Sequence, residues 1–366
     1  MRAFLNGSDI TGYCQTIRWR PKLSRPAEAT IKYPARALAV SAGQDELALT
    51  QGGSTLFVGD VFYPQYDGTA DSAYAEVTAF DHLIALKDRM VKSSTGNLIT
   101  PTSSSTTAPG QFADYIANTI SVDPGSYALS VGSVAAGGVD VDISQLMQFP
   151  MDLEQLRALL VGTGQMDVFL VPGSGSSAVN LTNGEGGTDL SGSVSYQYAT
   201  GSFNAAVGVL TVDMSQVINA LWYLLAPRVS ETRYKGSITP TAPHKGGTWP
   251  APLLADIALS RGLYNYRQEI QTKDEIGANV IRPYYEARWA GEAGLRAFPR
   301  HFYSVKPNRG SFPAFRPGDF INVAAGSVLN GGFSETQCVY EFEVVSDADG
   351  INQVTDILTS ADQGGP

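Results

Sequence analysis

Short runs of alternating apolar and polar residues, separated by turn residues, occupy both ends of this chain and constrain its fold more than any other feature. Near the N-terminus, Ile17 and Trp19 alternate with Arg18 and Arg20. A period of two residues is that of a strand with one buried face, whereas a helix repeats every 3.6 residues. The following runs are separated by turn pairs at Gly52-Gly53, Gly59-Asp60 and Asp67-Gly68. Residues 1–80 therefore predict five or six strands in a small antiparallel barrel.

The same pattern returns at the other end of the chain. Tyr340, Phe342 and Val344 alternate with Glu341 and Glu343. Acids on one face and apolar side chains on the other are typical of half-buried antiparallel strands. The sequence therefore predicts a second strand meander of the same kind as the first.

The middle of the chain mixes helical and extended patterns. Residues 93–110 are rich in Ser, Thr, Pro and Gly without a period, which is typical of a linker or exposed loop. Phe112, Ile116 and Ile120 then recur at helical spacing, and a second helix with inward leucines is predicted to begin at Asp152. A strand and a hairpin-rich stretch follow, so we expect a small α+β domain.

Two further segments complete the chain between these regions. Residues 204–228 are apolar and long enough for two strands. From about residue 250 the pattern turns helical, with Pro283 interrupting the second helical run. This pattern predicts a mainly helical insertion before the final strands.

An acid lies beside an imidazole at Asp81 and His82, where a strand is predicted to become a helix. Leu83, Leu86 and Met90 recur at the spacing of a helix with one apolar stripe. Asp81 falls at the N-cap position, where its carboxylate can accept hydrogen bonds from the first turn. A catalytic acid–base pair needs a third group and a pocket, which nothing nearby supplies. We interpret the pair as structural.

Composition limits the possible functions of this 366-residue chain. The net charge of −10 and the pI of about 4.8 argue against binding nucleic acid by neutralising phosphates. Residues 94–226 carry ten acids against one base, Arg157, a distribution that repels polyanions. Cys14 and Cys338 provide neither a disulfide framework nor a metal set. We see no signal-peptide pattern and no apolar run long enough to span a membrane, so we expect synthesis in the cytoplasm.

No motif predicts a catalytic, cofactor-binding or metal site. The glycines of Pro172–Ala178 resemble a dinucleotide loop, but a strand-like segment follows where a helix should hold the pyrophosphate. Residues 346–350 resemble a calcium loop, yet Leu358 stands at the twelfth position counted from Asp347, so a hairpin turn is expected. No ligand spacing connects the three histidines, His82, His244 and His301.

Five short segments follow one another in a distinctive order: "AFDHLIALKDR", "VNLTN", "DMSQVINAL", "FPRHFYSVKPN" and "FRPGDFINV". Their order and spacing, over nearly the whole chain, resemble the tail-tip hub proteins of long-tailed bacteriophages. Those hubs are similar to the baseplate hubs of contractile tails and secretion spikes. The most telling segment contains "RPGDFINV", a Pro-Gly-Asp turn that leads into a strand.

The resemblance implies a mainly β chain with α+β insertions, built around two tube-like antiparallel β-barrel domains. It places the first barrel, ending in a helix, at 1–93 and an α+β domain at 94–200. The second barrel is split, at 201–234 and 299–366, around a mainly helical insertion at 235–298. It also implies a homotrimer, because three chains with two barrels each present six barrels to a six-fold tail tube.

Partners and location follow from the same resemblance. It implies contacts with the distal tail or tail tube protein, the tape measure protein and tip or fibre proteins. DNA is expected to pass through a central channel without specific binding. The resemblance places the protein in the virion tail tip, after synthesis in the host bacterial cytoplasm. From the motifs and apolar runs of the sequence itself we expect no enzyme activity, no cofactor and no membrane span. Any closure of the channel would come from another protein or from the hub's loops.

Two alternatives belong to other classes of protein. A tail-associated cell-wall or polysaccharide hydrolase would need two convergent carboxylates, and Asp140 with Asp142 is the nearest pair in the sequence. A carbohydrate-binding tail module would use exposed aromatics among the 17 tyrosines and the tryptophans Trp222, Trp249 and Trp289. Core packing and subunit interfaces account for aromatic residues more often than carbohydrate binding does.

Overall fold

The structure is a computed structural model of the chain. It describes residues 1–68, 73–92, 95, 105, 107–122, 129–136, 152–162, 166–173, 177–183, 187–198, 204–213, 217, 220–225, 234–238, 259, 262–263, 268–273, 300–307, 312–326, 333–349 and 351–360. Within these residues the protein is mainly β with an α+β insertion, as the sequence predicted. No helix among them is long and apolar enough to cross a membrane.

The N-terminal residues form what we call the first strand module, in which every strand pair is antiparallel. Its strands are β1 (Arg2–Leu5), β2 (Ser8–Asp9), β3 (Thr16–Arg20), β4 (Glu28–Pro34), β5 (Glu46–Gln51), β6 (Ser54–Asp67) and β7 (Tyr74–Asp81). They are ordered β3-β4-β7-β6-β5-β1-β2 across the sheet. Ile17 and Trp19 are buried while Arg18 and Arg20 are exposed, as the alternation predicted. A short 3₁₀ turn (Thr11–Tyr13) connects β2 to β3.

A 3₁₀ helix (His82–Asp88) follows β7, where the sequence predicted an α-helix running on through Met90. Met90 instead forms an antiparallel bridge with Asp152, and the carbonyl of Arg89 accepts a hydrogen bond from the N–H of Leu153 at 2.8 Å. These long-range bonds end the helix early. The prediction of an α-helix is therefore wrong in type and length.

The α+β unit follows, and its two helices were predicted. It consists of α1 (Ala108–Val122), β8 (Leu129–Val134), α2 (Leu153–Gly162), β9 (Asp167–Val171) and β10 (Ser177–Thr182). Its sheet has the order β8-β10-β9, with β10 parallel to β8 and antiparallel to β9. At the start of α2, Asp152 Oδ1 accepts from the N–H of Gln155 at 2.6 Å, and Gln155 Oε1 accepts from the N–H of Asp152 at 3.3 Å. This reciprocal capping box confirms the predicted helix start.

A small third sheet, ordered β14-β13-β15, lies between the α+β unit and the C-terminal strands in sequence. Its strands are β13 (Ala220–Leu225), β14 (Tyr234–Ile238) and β15 (Gln268–Lys273). Residues 220–225, which the resemblance assigns to the second barrel, pair with β14 and β15 among the described strands. Most of the predicted helical insertion at 235–298 lies outside the described residues, and its described parts include β15 and most of β14.

The second strand module contains the strands β11 (Ser195–Tyr198), β12 (Ala205–Asp213), β16 (Arg300–Pro307), β17 (Phe320–Ala325), β18 (Phe333–Asp347) and β19 (Asn352–Ser360). They are ordered β12-β16-β19-β18-β17-β11. All of these pairs are antiparallel except β11 with β17.

The two modules share one strand order and differ in the direction of one strand, because β1 is antiparallel to β5 whereas β11 is parallel to β17. Taken in chain order, β1, β3, β4, β5, β6 and β7 correspond to β11, β12, β16, β17, β18 and β19, and the spatial orders β3-β4-β7-β6-β5-β1 and β12-β16-β19-β18-β17-β11 then match at every position. The sequence suggested this likeness through the two meanders. The boundaries of the four predicted domains remain predictions.

One continuous sheet and one core contain both modules. Strand β18 pairs with β3, so that the modules form a 13-stranded sheet. Buried residues from both modules pack in a single cluster, including Ile31 and Leu49 of the first and Val339 and Ile357 of the second. The α+β unit has its own core, in which Phe112 and other apolar residues of α1 and α2 pack together. The two modules therefore share one core, and the α+β unit packs around another.

Candidate functional site

The junction between the modules is formed by β18, which serves both of them. Its first residues, from Phe333 to Cys338, pair with β17, and its last four, from Val344 to Asp347, pair with β3. Strand β19 runs along the opposite edge of β18, with register shifts where the ladder bends. Because bulges increase local twist, they turn the end of β18 toward the other module.

An aromatic cluster fills the junction. The Trp19 ring stacks on Phe312 with centroids 5.8 Å apart and meets Phe342 edge-on at 5.5 Å. Phe315 continues the cluster, 5.3 Å from Phe342 and 6.2 Å from Tyr196 of β11. Stacked and edge-on pairs of this kind stabilise a core beyond the area that they bury.

Polar contacts fix the register at the edge of this cluster. Arg20 Nη2 lies 2.5 Å from Glu341 Oε1, and the N–H of Leu23 donates to the carbonyl of Tyr340 at 2.7 Å. The Arg20 side chain is 48% exposed and that of Glu341 is 23% exposed, so water still reaches the pair and it contributes about 1 kcal/mol. Its value lies in alignment more than in stability.

The ends of β1 and β5 in the first module also contact the hairpin formed by β18 and β19. The amino group of Met1 donates to Asn352 Oδ1 at 2.7 Å, and Asn352 Nδ2 donates to Gln51 Oε1 at 3.4 Å. Strand β3 therefore meets the β18–β19 hairpin on one side, while the ends of β1 and β5 meet it on the other. The C-terminal hairpin completes the ring of elements around the first core.

A polar cluster attaches the α+β unit to the β3–β4 connection. Ser24, with a positive φ of 54°, accepts from the N–H of Val168 at 2.9 Å and donates to Asp167 at 3.2 Å. The buried guanidinium of Arg157 donates to the carbonyl of Ser24 and to both oxygens of Glu154. Burial raises the pKa of the Asp167 carboxyl, and the hydroxyl of Ser24 opposes that shift. The contacts join two units of the fold.

Asp81 caps the 3₁₀ helix, as the sequence predicted. Its Oδ1 accepts from the N–H of Leu83 at 3.1 Å, and its Oδ2 accepts from the N–H of Ala27 at 2.9 Å. Burial raises the pKa of this carboxyl to about 7, against the two backbone hydrogen bonds and the charge of Lys22. The side chain holds the β3–β4 connection against the start of the helix.

His82 also has a structural position. Its Nδ1 lies 2.7 Å from the hydroxyl oxygen of Ser177 at the start of β10, and both side chains are buried. Burial lowers the pKa of the imidazole, which favours the neutral ring. A nucleophile needs access to its substrate, and the buried His82–Ser177 pair has none. The hydrogen bond between the two side chains connects the first module to the α+β unit.

A cavity of about 290 Å³ lies beside this junction. It is lined by Trp19, by the β9 residues from Val168 to Val171 and by Pro317, among others. Of the described residues that line it, Asp81 is the one carboxylate. Hydrolysis of a glycosidic bond uses two carboxyl groups, so this cavity does not have the arrangement of a glycosidase.

The other residues singled out from sequence fall into three groups. The strand β10 follows the glycines of Pro172–Ala178, as predicted, and β18 and β19 pair as an antiparallel hairpin around residues 346–350, as expected. Cys14 and Cys338 are buried thiols, and no metal-binding group of His, Cys, Asp or Glu occurs in the described part of the chain. Outside the described residues or side chains lie Asp140, Asp142, Trp222, Trp249, Trp289, His244 and His301.

The sequence did not indicate two residues, Arg157 and Ser24, that join the α+β unit to the first strand module. Arg157 was noted as the one base of an acidic segment, but its place among Leu153, Leu156 and Leu160 on the buried side of α2 was the signal of its role. Ser24 gave no local signal, because its positive φ and its partners depend on a unit more than 100 residues away.

Solved structures of three tail proteins are similar to this chain. The 43 kDa tail protein of prophage MuSo2 from Shewanella oneidensis has a TM-score of 0.60 at 12% identity, over 99% of this chain and 98% of that one. A tail protein from Neisseria meningitidis MC58 has a TM-score of 0.54 at 11% identity, over 98% and 95%. Prophage tail protein gp18 from Listeria monocytogenes EGD-e has a TM-score of 0.54 at 11% identity, over 100% and 96%.

No protein-family model matches the sequence, and no curated protein is similar to it. The structural likeness extends over nearly the whole of each compared chain. At these identities it establishes the fold, and it confirms at that level the resemblance seen in the order of the sequence segments. The chain has the fold of prophage tail proteins.

Proposed function

We propose that this protein is the structural hub of a bacteriophage tail tip. Three copies form a ring that joins the six-fold tail tube to three-fold tip or fibre proteins. The observation that carries this proposal is the fold shared with prophage tail proteins over nearly their whole length. Its role is assembly, without catalysis or a cofactor.

The repeated strand order supports the proposed symmetry. Each chain contains two strand modules with the same strand order, so three chains carry six modules. A trimer with such an internal duplication presents a pseudo-six-fold face to the tube, while its other features remain three-fold. A chain with one module gives no reason to expect this match.

The proposed partners surround the ring. The distal tail or tail tube protein and the tape measure protein lie on the six-fold side, and tip or fibre proteins lie on the three-fold side. Within the virion tail tip, DNA passes through the central channel without adhering, because the channel wall is acidic. Residues 94–226, with ten acids and one base, are the proposed source of that charge.

The alternative of a cell-wall hydrolase depends on Asp140 and Asp142, which lie outside the described residues. Clearing of a host cell-wall suspension by the purified chain, abolished by Asp140→Asn, supports the hydrolase and contradicts a purely structural role. We expect no clearing.

The trimer is tested by mass photometry and electron microscopy of the purified chain. We expect particles of three chains that form a three-fold ring with a central hole and attach to the ends of tail tubes. A stable monomer at micromolar concentration contradicts the trimer. A ring whose bore is lined by Lys and Arg contradicts the acidic channel and leaves the trimer intact.

A further inference from the structure

The pairing of β18 with β3 joins the two modules inside the chain, whereas the corresponding edges of β6 and β12 have no strand partner among the described residues. Strand β18 continues past its partner β17 and pairs with β3 of the other module. In the shared strand order β18 corresponds to β6, and β3 corresponds to β12. Strand β6 also continues past its partner β5, but residues 62–67 have β7 as their one neighbour among the described strands. Strand β12 likewise has β16 as its one described neighbour.

A β-bulge places the two long strands in register. Beyond the last position paired with β5 or β17, β6 is bulged at Phe62 and β18 is bulged at Tyr340, each against the following strand of its hairpin. Counting on by the same number of residues from each bulge, Tyr66 corresponds to Val344. Bulges are designed features of a strand, so a shared position supports the alignment.

The same alignment extends across both sheets to their edges. In the first module Val61 pairs with Ala79, Ala79 with Ala29, and Ala29 with Trp19. In the second module Val339 pairs with Thr359, Thr359 with Tyr303, and Tyr303 with Leu210. Since Val61 corresponds to Val339, Trp19 corresponds to Leu210. Val344 lies opposite Trp19 inside the chain. The corresponding partner of Tyr66 is therefore Leu210.

Exposure differs between the covered edge and the open one. Val344 is 0% exposed at the junction, whereas Tyr66 is 56% exposed and the neighbouring Tyr63 is 64% exposed. Large aromatic side chains beside an unpaired strand edge mark a site where another strand can be added. The exposed edge of β6 therefore lacks the cover that β3 gives to β18.

We propose that β6 of one copy pairs in antiparallel fashion with β12 of the next copy, with Tyr66 opposite Leu210. This interface rests on the proposed homotrimer and names the surfaces that build it. Each chain then contributes one internal junction, β18 with β3, and one external junction, β6 with β12. The two external surfaces differ and join head to tail, so three chains related by a three-fold rotation close a ring with six junctions of the same kind.

Pro64 removes one backbone hydrogen bond from the proposed pairing of β6 with β12. In the alignment Pro64 corresponds to Phe342, whose N–H donates to the carbonyl of Pro21 at 3.4 Å. Pro64 has no N–H, so this one bond is missing from the external ladder. A proline at a strand edge also blocks extended pairing with unrelated strands, and it leaves Tyr66 as the anchor.

Cysteine cross-linking tests the register in the full chain. Opposed residues of an antiparallel pair have Cα atoms about 4.5–5.5 Å apart, within the range of a disulfide. Oxidation of the double variant Tyr66→Cys with Leu210→Cys is expected to give covalent dimers and trimers on a non-reducing gel. Neither single variant is expected to give a covalent trimer on this gel. The control pair Tyr13→Cys with Leu210→Cys, in which the 52% exposed Tyr13 belongs to the 3₁₀ turn and not to β6, also gives no covalent trimer.

A charge substitution tests the interface without cross-linking. Tyr66→Asp is expected to convert the trimer into monomers that keep the far-UV circular dichroism spectrum of the folded chain, since Tyr66 is mostly exposed within one chain. Tyr13→Asp keeps the trimer. A trimer that survives Tyr66→Asp and does not cross-link overturns the strand pairing but not the hub. A wild-type chain that stays monomeric overturns both.

Discussion

Arg157 holds Glu154 through two hydrogen bonds within one turn of α2, Nε to Oε2 at 2.6 Å and Nη2 to Oε1 at 2.5 Å. The guanidinium is buried and also donates to the carbonyl of Ser24 in the first module. A planar fork makes these three contacts together, which an ammonium group does not. One side chain thus connects the α+β unit to the first strand module.

Arg157→Lys should therefore destabilise the chain despite keeping the charge. We expect a loss of about 1–3 kcal/mol, because buried hydrogen-bonding groups are left without a partner. Urea denaturation of the full chain measures it. Arg2→Lys, at a side chain that is 64% exposed, is the matched control and should change stability by less than about 0.5 kcal/mol. Equal effects of the two substitutions contradict the assigned role.

Asp81 should make the protein less stable as the pH rises. Its pKa is raised by burial from 3.8 to about 7, so the folded chain holds the proton more tightly than the unfolded chain. The resulting contribution is complete below pH of about 4 and is lost as the pH rises through about 7. Between pH 4 and pH 8 the unfolding free energy of the wild type should fall relative to that of Asp81→Asn, because the variant lacks this titration.

The control for Asp81 is Asp349→Asn, at an exposed position in the β18–β19 hairpin. Its stability should follow that of the wild type with pH. If Asp81→Asn also runs parallel to the wild type across the range, the raised pKa of Asp81 is wrong.

Phe342→Ala should weaken both strand modules together. Phe342 is 2% exposed and contacts the rings of Trp19 and Phe315, so we expect a loss of about 3–5 kcal/mol. Because the modules share one core, tryptophan fluorescence and far-UV circular dichroism should report one coincident transition in denaturant. Ile351→Ala, at a 63% exposed residue, should have little effect. Separate transitions for the modules in the variant contradict a shared core.

Cys14 and Cys338 should be unreactive in the folded protein. Burial raises the pKa of the Cys14 thiol to about 11 and that of Cys338 to about 12, and the reactive species is the thiolate. A colorimetric thiol reagent at pH 8 should label neither residue until guanidinium chloride unfolds the chain. The Tyr13→Cys variant, at a residue that is 52% exposed, supplies an exposed thiol as the positive control, and rapid labelling of the wild type contradicts this prediction.

The sequence revealed those features whose causes are local. Alternation at Ile17 and Trp19 predicted a strand, and the position of Asp81 and Asp152 before apolar periodicity predicted two helix starts. The 3₁₀ helix after Asp81 was predicted as an α-helix, because its end depends on the bridge between Met90 and Asp152. The spacing of apolar residues in a segment does not predict a bridge to a residue that is more than 60 positions away.

The junction could not be read from the sequence for the same reason. Arg20 and Glu341 are 321 residues apart, and nothing in either segment specifies the other as its partner. The order of short segments suggested two similar modules, whereas the pairing of β18 with β3 and the buried role of Arg157 required the coordinates. Side chains at such junctions are selected by neighbours distant in sequence.

The position of Asn352 beside Met1 has a consequence for synthesis on the ribosome. The hairpin that covers β3 and the ends of β1 and β5 is translated about 300 residues after them. Until it emerges, the nascent N-terminal sheet has an uncovered edge that can pair with another nascent chain. Newly made copies therefore acquire their final N-terminal structure only after β19 has been translated.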